Sequence, residues 1–329
     1  MDRKVLYNVI YALAALNGRE AALFGDCASL AREAFRRSLA GDYFPELWFE
    51  LPLAGEPWLD LHALAAVEDL NPDATFDPDT CGGVPEVFRW FANQGSRVRQ
   101  LALSWDVSSG DIELPAVQLL RRTSDTQTAC DFLEVAGAHE AAFAYRLFEE
   151  RLPQDWFACY SGVFPERKEP FLRVECIPAY ERQQAYANDA GLLAEDFLIV
   201  GYDAIDDVTL SRCQTLAVAP FQLEFQFDVT PEGKAGATLG VSDRFAAPAG
   251  QSDYKSFDVD GEAGELMRQV VEWGLADERW RLLADTAFAQ RLKLGQESCM
   301  LYCYPAFLKL RWRNGLPLDA KAYLIAGVQ

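Results

Sequence analysis

The sequence is short of positive charge. Against 50 Asp and Glu it has 30 Lys and Arg, a formal net charge of −20. A field of that sign repels phosphate backbones and anionic headgroups, which argues against nucleic acid and membrane surfaces as partners. Histidine is scarcer still, with His62 and His139 the two present. Eight cysteines (Cys27, Cys81, Cys130, Cys159, Cys176, Cys213, Cys299 and Cys303) form no C-x-x-C, so the usual ligands of a zinc site are missing. They fall in predicted helices and strands as small apolar residues, and that many free thiols fit a reducing cytoplasm. Long apolar runs are missing too. The stretch Val5 to Leu16 is interrupted by Tyr7, Asn8 and Tyr11, is too short for a bilayer, and has no small-residue cleavage site before Arg19 and Glu20. It reads as an amphipathic helix over residues 1–20, docked on the domain. G-x-S-x-G and P-loop motifs are absent. Gly82-Gly83 and Gly236-x-x-x-Gly240 lack a strand-to-helix context and read as turn or bulge glycines. The acidic segment Asp253 to Glu265 lacks the spacing of a calcium loop.

What the chain does have is apolar and aromatic substance: 50% hydrophobic and 12% aromatic residues in 329. That supports one large domain over residues 1–329. Five hairpins punctuate it. Glu46 to Leu64 holds two alternating runs around Gly55 and Pro57. Val98 to Leu120 turns at Ser108-Ser109-Gly110-Asp111, and Trp156 to Ile177 has a polar, proline-bounded tip. Phe221 to Phe245 turns at Pro231-Glu232-Gly233-Lys234. Cys299 to Ala326 turns at Asn314-Gly315, the strongest short-range hairpin signal. Helical patterns lie between them: Ala21 to Leu39, Val84 to Gln94, Cys130 to Leu152 broken at Gly137, Tyr180 to Ala219, and Glu262 to Leu294. Residues 71–83 and 246–261 read as surface loops. Helices and hairpins thus alternate five times.

Hairpins make antiparallel neighbours, unlike βαβ folds. Ten strands in an open sheet leave two edges, and closure removes both. The predicted fold is α+β: a closed ten-stranded antiparallel barrel of five αββα repeats with helices outside. Alternation sorts the faces. Phe221, Leu223, Phe225 and Phe227 share one side, and Gln222, Glu224, Gln226 and Asp228 the other. Leu308, Leu310 and Trp312 part from Lys309, Arg311 and Arg313; Leu318, Ala320, Ala322 and Leu324 part from Asp319, Lys321 and Tyr323. Asp60 with His62, Ser104 with Asp106, and Arg173 with Glu175 lie on polar faces. An open sheet showing those faces to water satisfies the same pattern. In a barrel they converge on a lumen, where Arg173, Arg244, Lys309, Arg311 and Lys321 meet Tyr302, Tyr304 and Tyr323. Cations on rigid strands suit an anionic ligand such as a diphosphate, and aromatic faces beside them stabilise a cation formed there.

Five αββα units around a ten-stranded barrel resemble the ABBA, or PT-barrel, prenyltransferases. In its residues the resemblance rests on the last hairpin, with Lys309-Leu310-Arg311 and Lys321-Ala322-Tyr323-Leu324. It implies a prenyl diphosphate held by Arg244, Lys309, Arg311 and Lys321. An allylic cation would be shielded by Tyr302, Tyr304 and Tyr323, and an aromatic molecule or peptide side chain would attack it. Glu50 and Glu224 are the candidate catalytic carboxylates for the lost proton. No cofactor is required on this reading, with Mg²⁺ a possible accessory. Acids on the same faces (Asp60, Asp106, Glu175 and Asp228) oppose a diphosphate unless they are paired. The alternative is a non-catalytic barrel that binds a peptide or partner in natural-product biosynthesis.

Overall fold

The computed structural model describes residues 20–25, 46–67, 84–106, 115–122, 125–164, 172–218, 222–245, 257–294 and 297–328. The docked helix expected over residues 1–20, apart from Glu20, and the loop expected over 71–83 lie outside them.

Among the described residues eleven strands occur: β1 Glu46–Pro52, β2 Asp60–Ala65, β3 Val98–Asp106, β4 Ala116–Arg121, β5 Trp156–Val163, β6 Arg173–Pro178, β7 Glu224–Val229, β8 Ala235–Arg244, β9 Phe288–Leu294, β10 Glu297–Arg313 and β11 Leu316–Val328. Each of β1 to β8 pairs antiparallel with its sequence neighbour, β8 pairs with β10, and β10 with β11. β11 then pairs with β1 over Glu46↔Gly327 to Pro52↔Lys321 and closes a ring of ten. The open-sheet reading is thereby excluded. The eleventh strand, β9, lies on β10 beyond the end of β8, from Cys303↔Phe288 to Glu297↔Leu294. The sequence pattern assigns Phe288 to Leu294 to a helix; the segment pairs instead with the N-terminal half of a long β10.

Helices fill the links: α1 Glu20–Phe24, α2 Val84–Phe91, α3 Thr126–Val135, α4 His139–Glu149, α5 Tyr180–Asn188, α6 Ala190–Ile199, α7 Asp207–Val218 and α8 Glu262–Glu272, followed by a 3₁₀ segment, Glu278–Thr286. The break between α3 and α4 is a Schellman stop. Gly137 has φ +77°, its N–H reaches the Glu134 carbonyl at 3.0 Å, and the Ala138 N–H reaches that of Leu133 at 2.8 Å. Asn314 (φ 51°) and Gly315 (φ 74°) form the expected tight turn of a two-residue hairpin. No helix among the described residues is long and apolar enough to cross a membrane.

The apolar core lies between strands and helices, outside the ring. Leu47, Phe49 and Leu51 of β1, Phe225 and Phe227 of β7, and Leu308, Leu310 and Trp312 of β10 join Phe91, Phe132, Phe148 and Phe197 of the helices in one cluster. Burying each such side chain contributes on the order of 1.5–3 kcal/mol. Because side chains alternate along a strand, this outward burial forces the polar positions of all ten strands inward. Outward polar positions among the described residues break the pattern at three points: Arg121 of β4 is buried and bonds Tyr145 and Glu149 of α4, Ser161 of β5 is buried too, and so is one acid. Asp243 of β8 is buried, and neither carboxylate oxygen has a hydrogen-bond partner among the described residues.

Candidate active site in the barrel lumen

The strand registers bring the polar faces together. Glu50 pairs with Tyr323 on one side and Asp60 on the other. His62 stands opposite Ser104, Gln118 opposite Gly162, Tyr160 opposite Glu175, and Glu175 opposite Gln226. Glu224 faces Ser242, which faces Lys309, which faces Lys321. All nine predicted site residues lie on this inner face. Tyr302 and Tyr304 have even numbers, whereas Lys309 and Arg311 have odd ones. They share a face because the register shifts between Pro305 and Phe307. A proline inside a strand signals such a bulge.

Most of the charges arrive paired. Lys321 donates to Glu50 and lies 4.0 Å from Asp60, with its ammonium 4.4 Å from the centre of the Trp58 ring. His62 bridges Glu50 at 3.1 Å and Ser104 at 2.5 Å, so it belongs to the Glu50 network. Arg244 donates to Glu224 at 3.3 Å and covers the Phe307 ring at 5.0 Å. Arg173 holds Asp228 at 2.8 Å; Arg311 grips Asp319 with two hydrogen bonds, one of 2.7 Å. The acids expected to oppose an anion are thus partly neutralised.

Lys309 differs. It is 5% exposed, and no carboxylate among the described residues lies within 4.0 Å of its ammonium. Its partner is the Tyr323 hydroxyl at 3.3 Å, with the ring centre at 5.7 Å. Burial pushes its pKa down to about 8, against the opposing fields of Glu50 and Glu175. Gly240 makes room for it: a Cβ there would lie 3.1 Å from Lys309 Cε and 3.2 Å from Gln226 Cβ. This glycine, expected at a turn or bulge, sits inside β8 and serves close packing.

Beside Lys309 stands an aromatic wall separate from the main core. Phe307, Tyr323, Ala306 and Ile325 are buried there, with Trp48, Tyr302 and Tyr304 packed against them. Trp48 lies 5.3 Å from Phe307 and edge-on to Tyr323 at 6.2 Å; Tyr302 and Tyr304 are 6.1 Å apart. Glu46 accepts hydrogen bonds from Trp48 Nε1 (2.6 Å) and the Tyr302 hydroxyl (3.3 Å). Trp48 and Phe307 are absent from the sequence-derived site, although the alternation of β1 and the bulge at Pro305 both carry the signal.

The carboxylates diverge. Burial raises Glu50, but Lys321, the His62 hydrogen bond and Lys309 outweigh it and hold the group well below the usual range. Burial raises Glu224 despite Arg244. Burial and the neighbouring Glu224 push Glu175 up to about 7. Among the described residues, no group of three His, Cys, Asp or Glu side chains is arranged to hold a metal ion.

No family model and no curated protein matches the sequence. Solved structures do. The apo form of prenyltransferase PriB matches with a TM-score of 0.54 and 14% identity, over 97% of this chain and 94% of that one. The 5-dimethylallyltryptophan synthase from Streptomyces coelicolor gives 0.54 and 12%, over 96% and 95%. PriB in ternary complex with L-tryptophan and dimethylallyl thiolodiphosphate gives 0.53 and 14%, over 99% and 96%. At such identities the likeness establishes the fold, and the chain is a PT barrel, the architecture of the ABBA prenyltransferases.

Proposed function

We propose that the protein is a prenyltransferase, moving an allylic group from a prenyl diphosphate to an aromatic small molecule or a peptide side chain. The observation that carries this reading is Lys309: a buried ammonium with no carboxylate partner among the described residues, set against an aromatic wall inside a closed barrel. An unneutralised buried cation is costly unless it finds an anion, and a diphosphate supplies one. Arg244, Arg311 and Lys321 line the same lumen and add donors as their own carboxylates share them. Tyr302, Tyr304 and Tyr323, with Trp48 and Phe307, offer π-faces to the allylic cation left when the C–O bond to diphosphate breaks. PriB, of the same fold, binds L-tryptophan and dimethylallyl thiolodiphosphate, which supports an aromatic acceptor and an allylic donor. Lys309 and its neighbours neutralise the diphosphate without an added metal, and Mg²⁺ would enter only with the substrate. The setting is cytoplasmic natural-product biosynthesis.

Isothermal calorimetry with dimethylallyl and geranyl diphosphate, with and without Mg²⁺, tests it. Micromolar binding that Lys309→Ala weakens more than tenfold, together with a prenylated indole or phenol by mass spectrometry, is the expected result. No heat with either donor overturns the reading.

One observation favours a second reading. Lys321, Arg244, Arg173 and Arg311 each engage a carboxylate, as a non-catalytic barrel that binds a peptide or partner would allow. Peptide affinity indifferent to Lys309→Ala and Lys321→Ala would identify that case.

A further inference from the structure

We infer that Glu175, rather than Glu50 or Glu224, takes up the proton that the acceptor loses; this rests on the prenyl-transfer reading above. Its place on β6 puts it on the luminal face between Tyr160 of β5 and Gln226 of β7. Its carboxylate is half-buried, and no hydrogen bond or ion pair to a described residue holds it. The other candidates are engaged: Glu50 by Lys321 and His62, Glu224 by Arg244. A carboxylate bound by a cation is a poor proton acceptor, because accepting the proton costs the ion pair.

Glu175 also faces the cation that the donor would use. Lys309 lies across Gly240 beside Gln226, the cross-strand partner of Glu175, so the two groups share one stretch of wall yet stay more than 4.0 Å apart. A donor held by Lys309 is therefore flanked by an unengaged carboxylate. The groups that act on Glu175 are Glu224 of β7, Lys309 of β10, Arg173 of its own strand and Arg244 of β8. Tyr160 and Cys159 of β5, Cys176 beside it and Tyr323 of β11 feel its charge in turn. Burial and Glu224 hold it near neutrality, where a base is both available and strong enough to act.

The step balances. The allylic C–O bond breaks and its electron pair leaves with diphosphate. A ring carbon of the acceptor forms the new C–C bond. The C–H bond at that carbon then gives its electrons back to the ring and its proton to a Glu175 oxygen.

Steady-state transfer from dimethylallyl diphosphate to an indole acceptor, followed from pH 5 to 10, tests the assignment. The wild type is expected to give kcat/KM rising through about pH 7 and falling above about pH 8 as Lys309 loses its proton. Glu175→Gln should lose the rising limb and about 10²–10⁴-fold in rate, with calorimetric affinity for the donor undiminished; Glu175→Asp should restore the limb. A Glu175→Gln protein that keeps the limb and most of the rate overturns the assignment. If Glu175→Gln fails to fold, carboxyl ¹³C NMR of Glu-labelled protein, assigned with Glu175→Asp, decides it. A group titrating near 7 that moves upward when donor binds supports the assignment, and an ordinary titration overturns it. A wild-type protein that neither binds donor nor forms product removes the underlying reading instead, a result no Glu175 variant can mimic.

Discussion

Lys321 of β11 and Glu50 of β1 form an ion pair across the one strand junction that closes the barrel. The lysine is 3% and the glutamate 8% exposed, so water screens the pair little. Removing one partner of such a pair strands the other and costs about 3–5 kcal/mol. Lys321→Ala is therefore expected to lower the urea midpoint sharply. Glu50→Gln combined with Lys321→Met should recover most of that loss, because the Glu50 carboxylate is no longer left buried without its cation. Equal midpoints for Lys321→Ala and the wild type would show the pair to be unimportant for closure.

The same pair makes the fold acid-sensitive. The folded pKa of Glu50 lies well below its ordinary value of 4.5, so its contribution is fully present above the unfolded pKa. It is lost as pH falls through the folded one. Urea unfolding at a series of pH values below 5 should show a shallower loss of stability in Glu50→Gln than in the wild type.

Asp243 works in the opposite direction. Burial pushes its pKa from 3.8 to about 8, so the native state binds the proton more tightly than the unfolded chain. Stability contributed by this group falls as pH rises from about 4 to about 8. Asp243→Asn should match the wild type near pH 4. At pH 8 it should exceed the wild type by several kcal/mol, at about 1.4 kcal/mol for each tenfold difference in proton affinity. A pH-independent difference between the two proteins would contradict this.

Lys309 predicts how donor binding responds to pH. Its ammonium is present below about 8, so calorimetric affinity for dimethylallyl diphosphate should fall as pH rises through that value. Lys309→Ala is expected to weaken binding more than tenfold and to remove the alkaline fall. Arg311→Ala and Lys321→Ala should each weaken binding less, since Asp319 and Glu50 already share those cations. A larger loss from Arg311→Ala than from Lys309→Ala would place the anion nearer the hairpin-turn end of the lumen.

Gly240→Val offers a steric test. Its side chain would enter the space now taken by the Lys309 tail and Gln226. Donor affinity should drop with the far-ultraviolet circular dichroism unchanged. Retained affinity would mean that Lys309 has room to move without loss of function.

Much of the barrel was legible as sequence. Alternation along β7, β10 and β11 separated outward Phe225, Leu308 and Ala322 from inward Gln226, Lys309 and Lys321, since successive side chains must point to opposite faces. Gly137 and Asn314-Gly315 marked breaks through backbone preferences that few other residues share. Local signals of this kind need no knowledge of distant contacts.

Tertiary structure decided the rest. Only strand pairing could show that β11 meets β1, because closure is a contact between the two ends of the sheet and leaves no local trace. Phe288 to Leu294 became a strand because β10 continues past the end of β8 and offers it an edge. The state of each charge was likewise hidden. Glu50, Glu175 and Glu224 are the same residue on similar strands, yet burial and neighbours contributed by other hairpins hold one low and raise two. Alternation settles which side of a strand a charge occupies; only the folded ring determines which opposite charge comes near enough, with little water between, to neutralise it.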